Sequence, residues 1–376
     1  MKIAMTMMVR DEADIIAPMI DHHLRQGVDV IIVTDNGSVD GTTEILEGYA
    51  ARGLVVLRHD PAYRKQQGVV VTQMARDAAS VYDADWVLNA DADEFWMPKD
   101  PTLTLRDVFA RLDKGIQSFL VEVVDMTGLP AQSGTGLKRL LFRDLRSIDE
   151  MNAVGLHSHS TPNAVHIGDP NVTVVQGNHL VSLASHGAPT PDLAIEVLHF
   201  PWRSWAQFSR KVDNSGRAYL NASRLSPSPN HHGMRDYHRL QDGTLYASYL
   251  FRHPTSEDLD AGIAAGSFVQ ERRIADTTTA PVPDIPVDPV TSAQDWAFGK
   301  IIGGLEFRVR TLETEVDATG HRNAELATGI HELEKQLSEE QEARLRAQAT
   351  LESLLNRRVV QAADRIAEAV HRMRRR

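Results

Sequence analysis

An α/β protein built on a largely parallel sheet flanked by helices, followed by a helical coiled coil, is what this sequence predicts. Three observations carry the prediction. Short apolar runs of strand length alternate with stretches of helical period through the N-terminal part of the chain. Two aspartates, Asp91 and Asp93, follow one of these runs in the pattern D-x-D, where the strand should end. Beyond a proline-rich stretch at 277–289, apolar residues recur every three or four positions almost to the C terminus.

The first apolar run, 2–9, ends at Arg10, Asp11 and Glu12, after which Ile15, Ile16, Met19, Ile20, His23 and Leu24 recur at helical spacing. A second run, 28–34, ends at Asp35-Asn36-Gly37-Ser38-Val39-Asp40-Gly41-Thr42, and a helix starts there with Asp40 or Thr42 as its N-cap. The third run, 54–57, ends near Arg58, His59 and Asp60. A helix carrying Val71, Met74, Ala75, Ala78, Ala79 and Val81 follows, and then the strand 86–88, which leads into Asn89-Ala90-Asp91-Ala92-Asp93-Glu94-Phe95-Trp96. In parallel sheets ligands bind outside the carboxyl ends of the strands, so Arg10, Glu12, Asp35, Asp91 and Asp93 should converge on one crevice. An isolated D-x-D reads as an acidic loop that solvates itself. Three carboxylates at one strand end repel each other in a medium less polar than water, and a divalent cation among them relieves the repulsion. Hard oxygen ligands of this kind suit Mg²⁺ or Mn²⁺, ions that usually also hold a substrate phosphate.

The segments MVRDEADII (8–16), VTDNGSVDGT (33–42), VVTQMARDAA (70–79) and DWVLNADADEFW (85–96) resemble glycosyltransferase family 2 of the GT-A fold, in a bacterial branch with a DADEF form of the D-x-D. The resemblance covers the chain well up to about residue 100 and more loosely to about residue 215, where HFPWRSWAQFSRKV (199–212) is similar to the closing segment of that branch. It implies a Rossmann-like mixed sheet and a metal-dependent, inverting transfer of a sugar from a nucleoside-diphosphate-sugar, UDP- or GDP-linked. The acceptor would be a hydroxyl on a glycan, a lipid or another molecule. By the same resemblance Asp35 contacts the nucleotide base, and Arg10 and Glu12 line the nucleotide pocket. Asp91 faces the ribose and the metal, Asp93 binds the metal, and Arg76 lies near the diphosphate. His199 is the late histidine that shares the metal with the D-x-D, or else a buried, satisfied core histidine.

Such a reaction builds negative charge on the leaving diphosphate and needs a base beside the acceptor hydroxyl. The base candidates are Glu122 and Asp125, on the strand after the D-x-D, and His179, in the turn Gln176-Gly177-Asn178-His179; Asp149 and Glu150 are further ones. Glu122 alternates with apolar neighbours and reads equally as an outward-facing strand residue, and His179 reads equally as a loop histidine. Arg203 and Lys211 follow His199 at helical spacing and suit a diphosphate, although Lys211 also fits a solvated helix face. Trp86 reads as core, whereas Trp96, Trp202 and Trp205 fit stacking on a sugar or packing alike. Of the 16 histidines, His157, His159, His166, His179, His186, His199, His231 and His232 cluster. With no cysteine and no H-E-x-x-H motif, zinc is the weaker reading of that cluster.

Composition bounds the rest. The 376 residues suffice for a large core and more than one domain, and the absence of cysteine excludes disulfides. A net charge of −11 argues against general binding of nucleic acid. No apolar run reaches the roughly 18 residues of a membrane span. No basic segment with an apolar stretch behind it opens the chain, which makes a cytoplasmic location the expectation. The expected divisions are a catalytic domain at 1–270, a proline-rich linker or surface strap at 271–295, and a helical coiled coil with a basic tail at 296–376. Leu305, Val309, Leu312, Val316, Leu326, Ile330, Leu333, Leu337, Ala347, Leu351 and Leu354 share one seam, with Thr319, Asn323, Glu340 and Arg344 as its polar positions. Asn323 at an a position favours a parallel homodimer; a single helix folded back on the enzyme domain is the alternative. The tail 357–376 pairs basic residues with an apolar side of Val359, Val360, Ile366, Val370 and Met373. That suits either contact with anionic lipid at the inner face of a membrane or a solvated end. Two other classes are weaker. A nucleotidyltransferase would need a glycine-rich loop after the first strand, and residues 5–12 contain no glycine. A non-catalytic coiled-coil scaffold would have no use for Asp35, Asp91 and Asp93.

Overall fold

The computed structural model of this chain describes residues 1–62, 66–154, 156, 158–220 and 232–375, without the side chains of Ala153 and His232. His157 and His231 of the histidine cluster therefore lie outside the described residues. Four strands, β1 (Ile3–Val9), β2 (Val30–Asp35), β3 (Val56–His59) and β4 (Trp86–Asn89), alternate with α1 (Ile16–Arg25), α2 (Thr42–Ala51) and α3 (Gln67–Ser80). They pair in parallel in the order β3-β2-β1-β4. The apolar runs are continuous because helices cover both faces of this part of the sheet. One face packs Met5, Trp86 and Leu88 against Met19 of α1. The other packs Ala4, Ile32 and Val87 against Val71, Met74 and Ala78 of α3. Val9 stands opposite Asp35, so β1 and β2 end level, whereas β4 ends at Asn89 opposite Thr6, three residues short of the end of β1. α2 begins behind Gly41, at φ 101°, and not with a side-chain cap from Asp40 or Thr42. Asp40 Oδ1 instead accepts from Thr42 N at 3.1 Å and Thr42 Oγ1 at 2.6 Å, closing the loop in front of the helix.

The chain continues through β5 (Glu94–Pro98), α4 (Leu105–Phe109), β6 (Ser118–Thr127), β7 (Ala131–Ser133), β8 (Phe142–Asp144), α5 (Ile148–Ala153), β9 (Asn163–Ile167) and β10 (Ile195–His199). β6 is ten residues long and serves two neighbourhoods. Its first half pairs antiparallel with β9, which joins it to β4, and its second half runs parallel to β10. β10 in turn pairs antiparallel with β5. This mixed, curled sheet with flanking helices is the α/β class of architecture that the sequence predicts. Its register sets the site, because His199 stands opposite Asp125 on one side and Glu94 on the other.

Among the described residues the far edge of β5 has no strand beside Trp96, and α1 satisfies it instead. His22 Nε2 donates to Trp96 O at 2.9 Å, and Trp96 N donates to His23 Nε2 at 3.1 Å. His23 Nδ1 donates to Met19 O at 2.9 Å, which leaves Nε2 as the acceptor. Burial pushes the His22 imidazole down to about 4 and that of His23 well below its usual range.

The remaining elements are α6 (Trp205–Leu220), α7 (His232–Gln241), α8 (Leu245–Arg252), α9 (Ser256–Ala265), β11 (Phe268–Gln270), α10 (Arg273–Thr277), β12 (Ile285–Pro286) and α11 (Ala293–Arg374). Phe208, Val212, Leu245, Tyr249 and Leu250 of α6 and α8 form a third core cluster with Val287, and Trp296 packs against it. The proline-rich stretch is a strap: β12 pairs with β7, Val287 is buried, and Asp284 Oδ1 accepts from Gly136 N at 2.9 Å. The first compact unit runs through Met1–Phe307, so its boundary falls inside α11 and not at 295. The cause is close packing of the first turns of α11 on α8. A Cβ on Gly299 would stand 2.3 Å from Ala247 O, and one on Gly303 2.2 Å from the Phe251 ring. The second unit, Arg308–Arg376, is the rest of the same helix. Its residues from 311 to 375 are all exposed, the seam positions Leu312, Val316, Leu326, Ile330, Leu333 and Leu337 included.

Candidate active site

The turn between β4 and β5 carries Asp91 and Asp93 to the carboxyl edge of the sheet. Two cavities of about 560 and 530 Å³ meet there, with Asp91, Gly177 and His199 in the lining of both. One, at the ends of β1 and β2, is also lined by Arg10, Glu12, Asn36, Gln67, Asp93 and Lys211. The other, at the ends of β6 and β10, is also lined by Glu94, Asp125, His159, His179, Trp202 and Arg252.

Asp93 is 1% exposed. Its Oδ1 lies 3.8 Å from His199 Nε2, while its Oδ2 meets Lys211 Nζ at 2.7 Å and Arg203 Nη1 at 3.5 Å. Burial would raise this carboxyl, but Lys211, His199 and Arg203 hold it well below the usual range. His199 Nδ1 donates to Asp125 Oδ1 at 2.8 Å. Burial pulls the His199 imidazole down, and Asp125 and Asp93 together more than reverse that, to about 9. Asp125 also accepts from Ser160 N at 3.0 Å and Ser160 Oγ at 2.7 Å. Arg203 is wholly buried and forks across three carboxylates, reaching Asp14 at 2.7 Å, Glu12 and Asp93. Burial pushes the Glu12 carboxyl up to about 7 even so. Glu94 is pushed up to about 8 by burial and by the charge of Asp91; its Oε2 accepts from Asp91 N at 3.0 Å and Asn163 Nδ2 at 2.8 Å.

The fold thus brings Arg10, Glu12, Asp91, Asp93 and His199 together. It treats the other expected site residues differently. Asp35 ends β2 as foreseen, but it is 2% exposed and lines neither cavity. Its carboxylate accepts from Ser38 N at 3.0 Å, Ser38 Oγ at 2.6 Å and Thr43 Oγ1 at 2.5 Å, so it shapes the turn while the next residue, Asn36, lines the cavity. Arg76 turns away: its Nε donates to Val172 O at 2.7 Å, and Gln67 of the same helix reaches Asp91 Oδ1 at 2.9 Å. Glu122 faces outward and pairs with Lys99 at 2.7 Å. Asp125 holds His199 in place and is not positioned as an independent base. His179 lines the second cavity beside Thr161. Asp149 and Glu150 lie in the first turn of α5, where Glu150 completes a capping box with Ser147. Trp96 is core, Trp205 packs on Tyr246 and Tyr249, and Trp202 lines the second cavity. Among the described residues no three His, Asp or Glu side chains form a ready-made metal cage.

Sequence reasoning counted Glu94 only as one of three crowded carboxylates, gave Asn178 no role and undervalued Lys211. Asn178, at φ 64° behind Gly177 at φ 89°, donates from Nδ2 to Asp91 Oδ1 at 3.2 Å. A Gly-Asn pair is a signal for such left-handed turns, because both residues tolerate that backbone.

Comparison with known proteins gives three findings. Residues 3–126, about a third of the chain, match the family model of Glycosyltransferase family 92, where the motifs had resembled family 2. No curated protein matches the chain. Among solved structures, S. aureus TarS 1-349 in complex with UDP-GlcNAc is 14% identical, with 70% of this chain and 73% of that one covered at a TM-score of 0.36. Glucosyl-3-phosphoglycerate synthase from Mycobacterium tuberculosis, in complex with Mn²⁺, UDP-glucose and phosphoglyceric acid, is 18% identical, with 68% and 81% covered at a TM-score of 0.26. At TM-scores this low neither superposition bears on the chemistry of this chain.

Proposed function

We propose that this chain is a metal-dependent glycosyltransferase that moves a sugar from a UDP- or GDP-linked donor to an acceptor hydroxyl. The observation that carries the reading is the placing of Asp93 Oδ1 and His199 Nε2, 3.8 Å apart at the junction of the two cavities. Two protein ligands across such a gap suit Mg²⁺ or Mn²⁺, whose other positions commonly go to phosphate oxygens and water. Asp125 fixes the imidazole through Nδ1, the outer-shell arrangement that orients metal-binding histidines. The family 92 match over residues 3–126 supports the same reaction class.

A divalent cation bound there supplies positive charge to the leaving diphosphate. Arg10, Glu12, Asn36 and Gln67 wall the cavity assigned to the nucleotide. Lys211 and Arg203 balance Asp93, and Lys211 is itself in the lining, within reach of an incoming phosphate. The second cavity takes the acceptor, and Glu94 and His179 in its lining are the groups to receive the hydroxyl proton. Direct displacement by that hydroxyl inverts the anomeric carbon. Outside the site, the exposed seam of α11 supports a parallel homodimer, since a lone helix leaves a long apolar stripe in water. The basic end of α11 suits an anionic lipid surface. No described helix is long and apolar enough to cross a membrane.

Calorimetric titration of UDP with and without Mn²⁺ tests the metal site. The unaltered protein should bind UDP more tightly with Mn²⁺, and Asp93→Asn and His199→Ala should each lose that increment. An unchanged Mn²⁺ increment in both variants would remove these two residues from the metal site.

A further inference from the structure

We propose that Lys211 holds the metal's place on Asp93 and gives it up to a diphosphate, so that divalent cation and nucleotide bind cooperatively through this one side chain. The inference rests on the metal-dependent glycosyltransferase reading and deepens it. Asp93 is buried, with two basic side chains on one of its oxygens. Its Oδ2 has Lys211 Nζ at 2.7 Å and Arg203 Nη1 at 3.5 Å, while Oδ1 faces His199 Nε2 at 3.8 Å. Arg203 brings one positive charge to three carboxylates, those of Glu12, Asp14 and Asp93. Asp93 therefore draws in a further cation, and an ammonium or a divalent ion can each supply it. Both at once on a single carboxylate repel each other, in surroundings less polar than water.

The two basic residues differ in freedom. Arg203 is wholly buried and fixed by Asp14 at 2.7 Å and by Glu12, so it stays whatever binds. The Lys211 side chain is 44% exposed, and its flexible four-carbon stem lets the ammonium swing. Lys211, Asn214, Ser215 and Ala218 of α6 line the cavity assigned to the nucleotide, at the three- and four-residue spacing of one helix face. An ammonium that leaves Asp93 therefore stays in the cavity that takes the diphosphate. A permanent counter-ion needs no such freedom, and Arg203 shows how this fold buries one. A swinging ammonium couples two events. A cation alone must displace Lys211 into water. A cation arriving with a diphosphate displaces it onto phosphate oxygens, which lysine binds as a point charge. The two positions of Lys211 are two states, and cation and diphosphate both favour the one away from Asp93. Each ligand must then tighten the other by the same factor.

The test uses the full chain at one pH. Mn²⁺ binding is followed by water-proton relaxation and UDP binding by calorimetry, each with and without the other. Lys211→Gln should bind Mn²⁺ alone at least about tenfold more tightly than the unaltered protein, because the competitor is gone. In the same variant the factor by which Mn²⁺ tightens UDP should fall at least about tenfold, because no ammonium is released to the phosphates. Lys211→Met, which keeps the stem, carries the same expectation should the first variant fail to fold. Arg210→Gln removes an equal charge from the neighbouring residue, which pairs with Asp40 at 3.3 Å, and should leave Mn²⁺ affinity unchanged. An equal gain in Arg210→Gln would reduce the effect to net charge and overturn the exchange. If either change is missing from both Lys211 variants while UDP–Mn²⁺ still binds, the exchange is overturned and the glycosyltransferase reading stands. Failure of UDP–Mn²⁺ to bind the unaltered protein would overturn both.

Discussion

Replacing Arg203 with methionine removes a wholly buried cation that ties carboxylates from separate strand ends of the crevice together. Arg203 follows β10, and its partners Glu12 and Asp14 follow β1 while Asp93 follows β4. Breaking a buried ion pair by deleting one partner costs about 3–5 kcal/mol. The lower end applies here for two reasons. Asp93 keeps Lys211 at 2.7 Å, and Glu12 can escape by taking up a proton, because burial already pushes its carboxyl up to about 7. A loss of about 3 kcal/mol corresponds to a fall in Tm of about 5 °C for a unit that runs through Met1–Phe307. Arg203 is the strongest influence lowering Glu12, so the variant's Glu12 lies higher still. An acid raised in the folded state binds more protons there than in the unfolded chain, and stability falls with rising pH until the folded value is passed. In the natural protein that fall ends near pH 7; in the variant it continues above pH 7, so the deficit must widen between pH 7 and 9. Tryptophan fluorescence during urea unfolding, in EDTA, reads the first unit alone, because all five tryptophans precede residue 297. A loss below about 1 kcal/mol, or a deficit that does not change with pH, would refute the buried counter-ion argument.

Asp35→Ala should lower stability by about 1–3 kcal/mol through its lost turn bonds, with UDP affinity changing less than tenfold. A larger loss of affinity than of stability would restore the base contact. Acid should destabilise the first unit between about pH 6 and 4.5, below the range in which the raised imidazoles of His159 and His199 bind more protons folded than unfolded. Burial holds His22, His23, His166 and His253 below their ordinary value, so the unfolded chain binds more protons there, whereas the raised acids Glu12 and Glu94 act in the opposite sense. Four against two leaves a net loss of up to about 2.7 kcal/mol per pH unit, and a urea midpoint constant over this window would contradict it. Deleting 308–376 should leave a folded monomer that binds UDP. Deleting 296–376 should lower Tm sharply, because it strips Trp296 and the close contacts of Gly299 and Gly303 from α8. Light scattering decides the assembly, and a monomeric full-length chain would rule out pairing through the seam.

Periodicity is a local property, and what depends on it was legible from the chain alone. The apolar runs became β1 to β4 because strands buried on both faces need no alternation, and the D-x-D fell just past β4 because carboxylates do not belong inside such a strand. The seam of α11 was equally plain. What each polar side chain meets is set by register between distant segments, and no local pattern contains that. Glu122 and Asp125 lie three residues apart on one strand, yet β6 turns the first out to Lys99 and sets the second against His199 from β10. Gln67 and Arg76, nine residues apart on α3, lie half a turn out of phase, so only one of them reaches Asp91. Lys211 looked like part of a solvated face because its helix is polar there; the carboxylate that claims it comes from a turn more than a hundred residues earlier. Secondary structure followed from the sequence because it is built from neighbours. The charge network around Asp93 had to await the tertiary structure, because β5, β6 and β10 bring its members together only once they pair.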